Sequence, residues 1–156
     1  IDKIMAMGGS YLLNVGPKAD GSICDEAKRI IETVGDWYTR TEGLLKETEQ
    51  DRNEYKLDTM APADPYIAVK KNGKSYLHFY NGLGATCVTF EKAPGALKRA
   101  RCVNDGKELE IRYQRLPAHF GEDGLAEGPF WQAAGIDADG LSNEPVIIEL
   151  EWDIKA

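Results

Sequence analysis

Residues 8–37 read GGSYLLNVGPKADGSICDEAKRIIETVGDW, and this stretch decides what kind of fold the chain enters. Tyr11 to Val15 is a short apolar run that reads as a buried strand, and Pro17 with Asp20-Gly21 supplies a turn behind it. A helix follows. Ser22 with Asp25 has capping-box spacing, and Asp25 and Glu26 suit the positive end of a helix. Ala27, Ile30, Ile31, Val34, Trp37 and Tyr38 then fall on one apolar stripe, the face such a helix lays against a sheet. Upstream, Ile1, Ile4 and Met5 carry the spacing of a helix end, with Gly8-Gly9 placed to stop it. Gly43 sits near the far end of the main helix, and Lys46 to Asp58, polar and without an apolar period, reads as a linker.

From about Tyr55 the period switches to two. Tyr66–Lys70 and Ser75–Tyr80 flank Asn72-Gly73, a dipeptide that favours a tight hairpin because both turn positions need positive φ. Ala85–Glu91 reads as the next strand, followed by Arg99–Val103 and Glu108–Tyr113 around Asn104-Asp105-Gly106. In the last strand Val146, Ile148, Leu150, Trp152 and Ile154 alternate with Ile147, Glu149, Glu151 and Asp153, placing an apolar ladder on one face. Short strands separated by turn signals at this density predict an antiparallel β-sandwich. The fold class is therefore mainly β, with a C-terminal sandwich preceded by one strand–helix unit.

The N-terminal unit also has a recognisable wording. Leu12-Leu13-Asn14-Val15-Gly16-Pro17, then Ala19-Asp20-Gly21, Ile23 and Gly35-Asp36-Trp37 resemble the last βα unit of the catalytic barrel in the α-L-fucosidases of glycoside hydrolase family 29. The resemblance is sharp in that stretch, and the β-rich remainder agrees in layout. It implies a division into residues 1–48, the closing βα unit of a (β/α)8-type barrel, and residues 49–156, a C-terminal β-sandwich domain. A complete barrel of that type takes about 250 residues, and a lone βα unit cannot cover its own apolar faces. The resemblance thus implies the C-terminal part of an exo-acting, retaining glycosidase that removes terminal L-fucose from oligosaccharides or glycoconjugates. Its Asp nucleophile and acid/base carboxyl lie upstream, so no catalytic residue is assigned to this chain, which alone is expected to be inactive. Its partners are the missing upstream barrel and, through it, a fucosylated glycan. The compartment is left open, with secreted, periplasmic or lysosomal placement all compatible.

A net charge of −7 argues against nucleic acid and anionic membranes as partners, since both call for clustered Lys and Arg. Cys24, Cys87 and Cys102 form an odd set without close pairs, read as free thiols, with a Cys87–Cys102 bridge as the alternative. His78 and His119 have no partners at ligand spacing, and Asp137 and Asp139 in GIDADG lack the full spacing of a calcium loop, so no metal or cofactor is expected. Asp20 reads as a turn residue. If Tyr11–Gly16 is a barrel strand, Asn14 near its C-terminal end is the best-placed polar group for substrate, and Tyr11 is the aromatic that could pack on a fucose ring. The long segment Leu116–Glu144 carries His119, Phe120, Phe130 and Trp131 among glycines and acids. Phe130 and Trp131 are candidates for a glycan-binding or docking surface, or for filling the sandwich core. The alternative function is accordingly a non-catalytic carbohydrate-binding or docking module.

Overall fold

The computed structural model describes residues 1–53, 55–58, 65–114 and 130–154. Helix α1 spans Asp2–Ala6 and α2 spans Asp25–Thr41, continued by a 3-10 turn at Glu42–Leu44. Among the described residues nine strands follow: β1 Glu49–Gln50, β2 Lys56–Asp58, β3 Ile67–Lys71, β4 Lys74–Phe79, β5 Cys87–Lys92, β6 Ala96–Cys102, β7 Glu110–Gln114, β8 Phe130–Ala134 and β9 Val146–Asp153. They form two antiparallel sheets in the order β1-β3-β4-β9-β6 and β2-β5-β8-β7, the expected sandwich.

The β3–β4 hairpin turns where Asn72-Gly73 predicts, with φ of 51° and 77° at the two residues. The Asn104-Asp105-Gly106 turn behaves differently. It carries the chain from β6 in one sheet to β7 in the other, so Arg99–Val103 and Glu108–Tyr113 are not a paired hairpin beyond a single bridge at Arg101 and Glu108. The supposed linker contains β1 and β2, each an edge strand recruited by a stronger neighbour. β8, inside the segment read as a long loop, is a central strand between β5 and β7.

Two cores result. Between the sheets lie Leu77, Phe79, Val88, Phe90, Leu97, Ala133, Ile148 and Leu150 with their neighbours. On the opposite face of the first sheet, Val69, Tyr76 and Ile147 meet Ala6, Trp37 and Leu45 from the helical segment. β4 and β9 are therefore covered on both faces, which is why Val146 to Leu150 are buried without interruption although the sequence alternates. Ile154, read as the end of the apolar ladder, is instead exposed past the end of β9.

Polar ties fix the helices to the sheet. Trp37 Nε1 donates to Pro145 O at 3.3 Å, and Arg40 donates to Asn104 O at 3.0 Å and to Glu144 Oε2 at 2.7 Å. Asn104 in turn donates to Pro145 O and accepts from the Ile147 amide. The burial expected of Trp37 is observed, at 5% exposure, but the stripe is only partly covered: Ile30 is 56% exposed, and Trp37 and Thr41 are the buried residues of α2.

Two buried carboxylates make the sandwich acid-sensitive. Burial pushes Asp51 up, but hydrogen bonds from Ser75, the Asn53 amide and Tyr55, with the charge of Lys70, outweigh it and hold the carboxyl below its usual 3.8. Burial likewise opposes ionisation of Glu149, and Lys74 and Arg101 reverse it, leaving the carboxyl below 4.5. Groups depressed in the folded state stabilise above their unfolded pKa, and that stability is lost as pH falls through the folded pKa. Thermal unfolding should thus be nearly flat from neutral pH to about 5 and decline below about 4. Asp51→Asn should lower the neutral-pH plateau and flatten the decline, and an unchanged pH profile would show that Asp51 is not a contributor.

Candidate functional site

The segment singled out as a barrel strand is not a strand here. Gly9 to Cys24 contains no regular element, and Tyr11, Leu12, Leu13 and Val15 are 43, 80, 42 and 37% exposed. The physical reason is direct: a strand exists by ladder hydrogen bonds to a neighbour, and among the described residues no strand lies beside it. Asn14 is exposed on the same segment.

The turn behind it is well formed. Gly21 N donates to Lys18 O, Lys18 N donates to Ser22 O, and Gly21 takes φ 82°. Asp20 accepts from the Ser22 amide at 2.9 Å and from its hydroxyl at 2.7 Å, and these bonds hold its carboxyl below the usual range. Ser22 is thus engaged with Asp20 rather than capping the helix, which begins at Asp25 with Lys28 N donating to Cys24 O. Asp20 has the turn role expected of it.

Carboxylates elsewhere are similarly committed. Glu108 pairs with Arg99, Glu110 with Arg112 and Glu144 with Arg40. Among the described residues Asp20, Asp51, Glu108, Glu110 and Glu149 have carboxyls held toward ionisation. A glycosidase general acid needs the opposite, a carboxyl held protonated near neutral pH.

Phe130 and Trp131 do not form one surface. They are consecutive on β8 and so point to opposite faces. Phe130 is buried at 6% exposure. Trp131 is half-buried against the inter-sheet core, and its ring lies 4.4 Å from that of Tyr113, which is 58% exposed. Tyr113 is an exposed aromatic that the sequence reading passed over, and only its pairing with Trp131 across β7 and β8 marks it. His119 and Phe120 lie outside the described residues.

The remaining candidates resolve locally. Asp137 accepts from the Gly140 amide at 3.0 Å, and among the described residues no group of three His, Cys, Asp or Glu is placed to hold a metal. All three cysteines are free, with Cys87 and Cys102 on different sheets and Cys102 pushed up to about 11 by burial. His78 is not a lone histidine: it is fully buried and paired with Asp2.

Comparison with known proteins adds to this geometry. The sequence model of the α-L-fucosidase family matches residues 1–42. A solved α-L-fucosidase is 17% identical with a TM-score of 0.64, the alignment covering 96% of this chain and 31% of that one. The α-fucosidase of Thermotoga maritima in complex with a mechanism-based inhibitor is 18% identical, with a TM-score of 0.64 and coverage of 99% and 32%. The α-L-fucosidase from Vibrio sp. strain EJY3 is 18% identical, with a TM-score of 0.63 and coverage of 97% and 24%. Comparison of sequence with curated proteins gives no match. The chain thus shares its fold with α-L-fucosidases over nearly its whole length and spans less than a third of theirs.

Proposed function

We propose that this chain is the C-terminal part of an exo-acting, retaining α-L-fucosidase, and that residues outside it carry the two catalytic carboxyl groups. The observation that supports the reading most is a coincidence of place. Residues 1–42, which match the family, include the run Tyr11–Val15 and the Ile30 side of α2, where large apolar side chains stand in solvent. Large apolar side chains exposed so close together support a face that the rest of the parent covers. The preceding part of the parent, folded as a barrel, would pair with Tyr11–Val15 and lie on α2 as an outer helix does on its strands.

In a retaining glycosidase one carboxylate attacks the anomeric carbon while a second, protonated carboxyl, about 5–5.5 Å away, protonates the leaving oxygen. The second group then acts as base on the water that releases the sugar. In this proposal the chain supplies neither group. Asn14, at the active end of a completed strand, would donate or accept a hydrogen bond with a fucose hydroxyl, and Tyr11 would offer its ring to the apolar side of the sugar. Hydrogen exchange tests the completed strand. In the parent protein the amides of residues 11–15 should exchange at least about a hundredfold more slowly than in this chain alone, as buried ladder amides do. Equal rates in the two would contradict the assignment.

The Tyr113–Trp131 pair supports a second reading, a carbohydrate-binding sandwich, because an exposed aromatic such as Tyr113 beside a half-buried one can hold a pyranose face. Under the fucosidase reading Trp131→Ala should lower stability by about 2 kcal/mol through lost packing. No glycan affinity should be there to lose. Saturable binding of fucosylated or plain glycans to this chain by calorimetry, abolished by Trp131→Ala, would favour the module instead.

A further inference from the structure

Helix α1 is only five residues long, and an isolated helix of that length does not hold itself. Its apolar hold is modest: Ala6 is buried and Ile1 and Met5 are partly buried against the second core, while Ile4 and Met7 are 41 and 70% exposed. Beside it, between α1, α2 and the loop at Gly140–Pro145, lies a cavity of about 310 Å³ bordered by Asp2, Val34, Trp37 and Pro145. What anchors α1 is a buried polar contact. His78 Nδ1 on β4 donates to Asp2 Oδ1 at 2.8 Å, with the two side chains 0 and 1% exposed. Among the described residues neither Asp2 Oδ2 nor His78 Nε2 has a hydrogen-bond partner. Polar groups buried with half their hydrogen-bonding capacity unused are a net burden on stability. Buried polar pairs in otherwise apolar interfaces set register in several systems, at a cost in stability.

We propose that the Asp2–His78 pair is a register pin that fixes α1, and through Gly8-Gly9 the following segment, at one position on the outer face of the sandwich. The surroundings fit such a role. Val69, Tyr76 and Ile147 offer an apolar surface on the sheet against which Ala6 packs, and Asp2 meets the polar side chain of His78 on β4 beside it. Lys3, its ammonium 4.9 Å from the Tyr80 ring centre, adds a second and weaker tie at the same end. The pin stands whether or not the parent protein is a fucosidase, because it concerns only how the first helix meets the sheet.

The test compares local with global effects in the full 156-residue chain. His78→Leu replaces a half-satisfied polar group with an apolar one of similar size. It leaves the Asp2 carboxylate without its partner, so the Met7, Gly8 and Gly9 amides, which close α1 onto Lys3, Met5 and Ile4, should exchange about ten- to a hundredfold faster while the amides of Leu77 and Ile148 keep their protection. His78→Asn keeps a donor near the Nδ1 position and should restore most of that protection. Asp2→Ala, which leaves β4 intact, should release the same amides, and the double variant should be no worse than either single one. Several results would overturn the pin: unchanged exchange in the variants, fast exchange already in the parent chain, additive effects, or equal loss of protection at α1 and at strand amides such as those of Leu77 and Ile148.

Discussion

Replacing Trp37 with alanine should destabilise the chain by about 3–5 kcal/mol, the largest effect expected of any single substitution in the helical segment. The indole is 5% exposed, packs with Ala6, Leu45, Val69, Tyr76 and Ile147, and donates its N–H to Pro145 O at 3.3 Å. Truncation removes the side chain that closes the second core and leaves the Pro145 carbonyl short of one donor. The residual space would adjoin an existing cavity of about 310 Å³, so collapse cannot readily fill it. Ile30→Ala is the internal control. It lies on the same predicted stripe but is 56% exposed, and its loss should change stability by no more than about 0.5 kcal/mol. Denaturant unfolding of the two variants decides the matter, and a cost below about 1 kcal/mol for Trp37→Ala would mean that α2 is not docked on the sandwich as described.

The contrast between Trp37 and Ile30 also marks what a sequence of this kind discloses. Periodicity identified the helix and its apolar face, because both are properties of the segment itself. How much of that face is covered depends on which elements lie opposite, and here only the C-terminal half of α2 meets the sheet. Tyr11–Val15 failed as a strand for the same reason: its composition suits a ladder, but the ladder needs a neighbour. Asn72-Gly73 succeeded because a two-residue turn fixes its own geometry and pairs adjacent strands. β8 was hidden since Phe130–Ala134 is short, alanine-rich and interrupted by Gln132, whose side chain bonds Thr89 in the adjacent strand.

The site was less legible than the fold. Asp20 could be read as a turn residue because its partner Ser22 is two positions away. Asp2 and His78 are separated by 76 residues, and no spacing rule connects a helix of the first segment to the middle strand of a sheet. Tyr113 and Trp131 meet only through the β7–β8 register. Local chemistry was visible in the sequence and long-range pairing was not.

The largest functional effect is expected from joining this chain to what precedes it in the parent protein. Among the described residues the carboxyl groups with displaced pKa are all held toward ionisation, and Tyr11, Leu12, Leu13, Val15 and Ile30 are exposed. Two-carboxylate catalysis contributes many orders of magnitude over the uncatalysed reaction, so the difference is all or none. The decisive measurement is hydrolysis of an aryl α-L-fucoside by the purified chain and by the same chain joined to its upstream region. The account predicts turnover by the joined protein and only the buffer rate for the chain alone. Turnover by the chain alone, abolished by substituting a carboxylate within it, or a joined protein with no activity toward the fucoside, would contradict it.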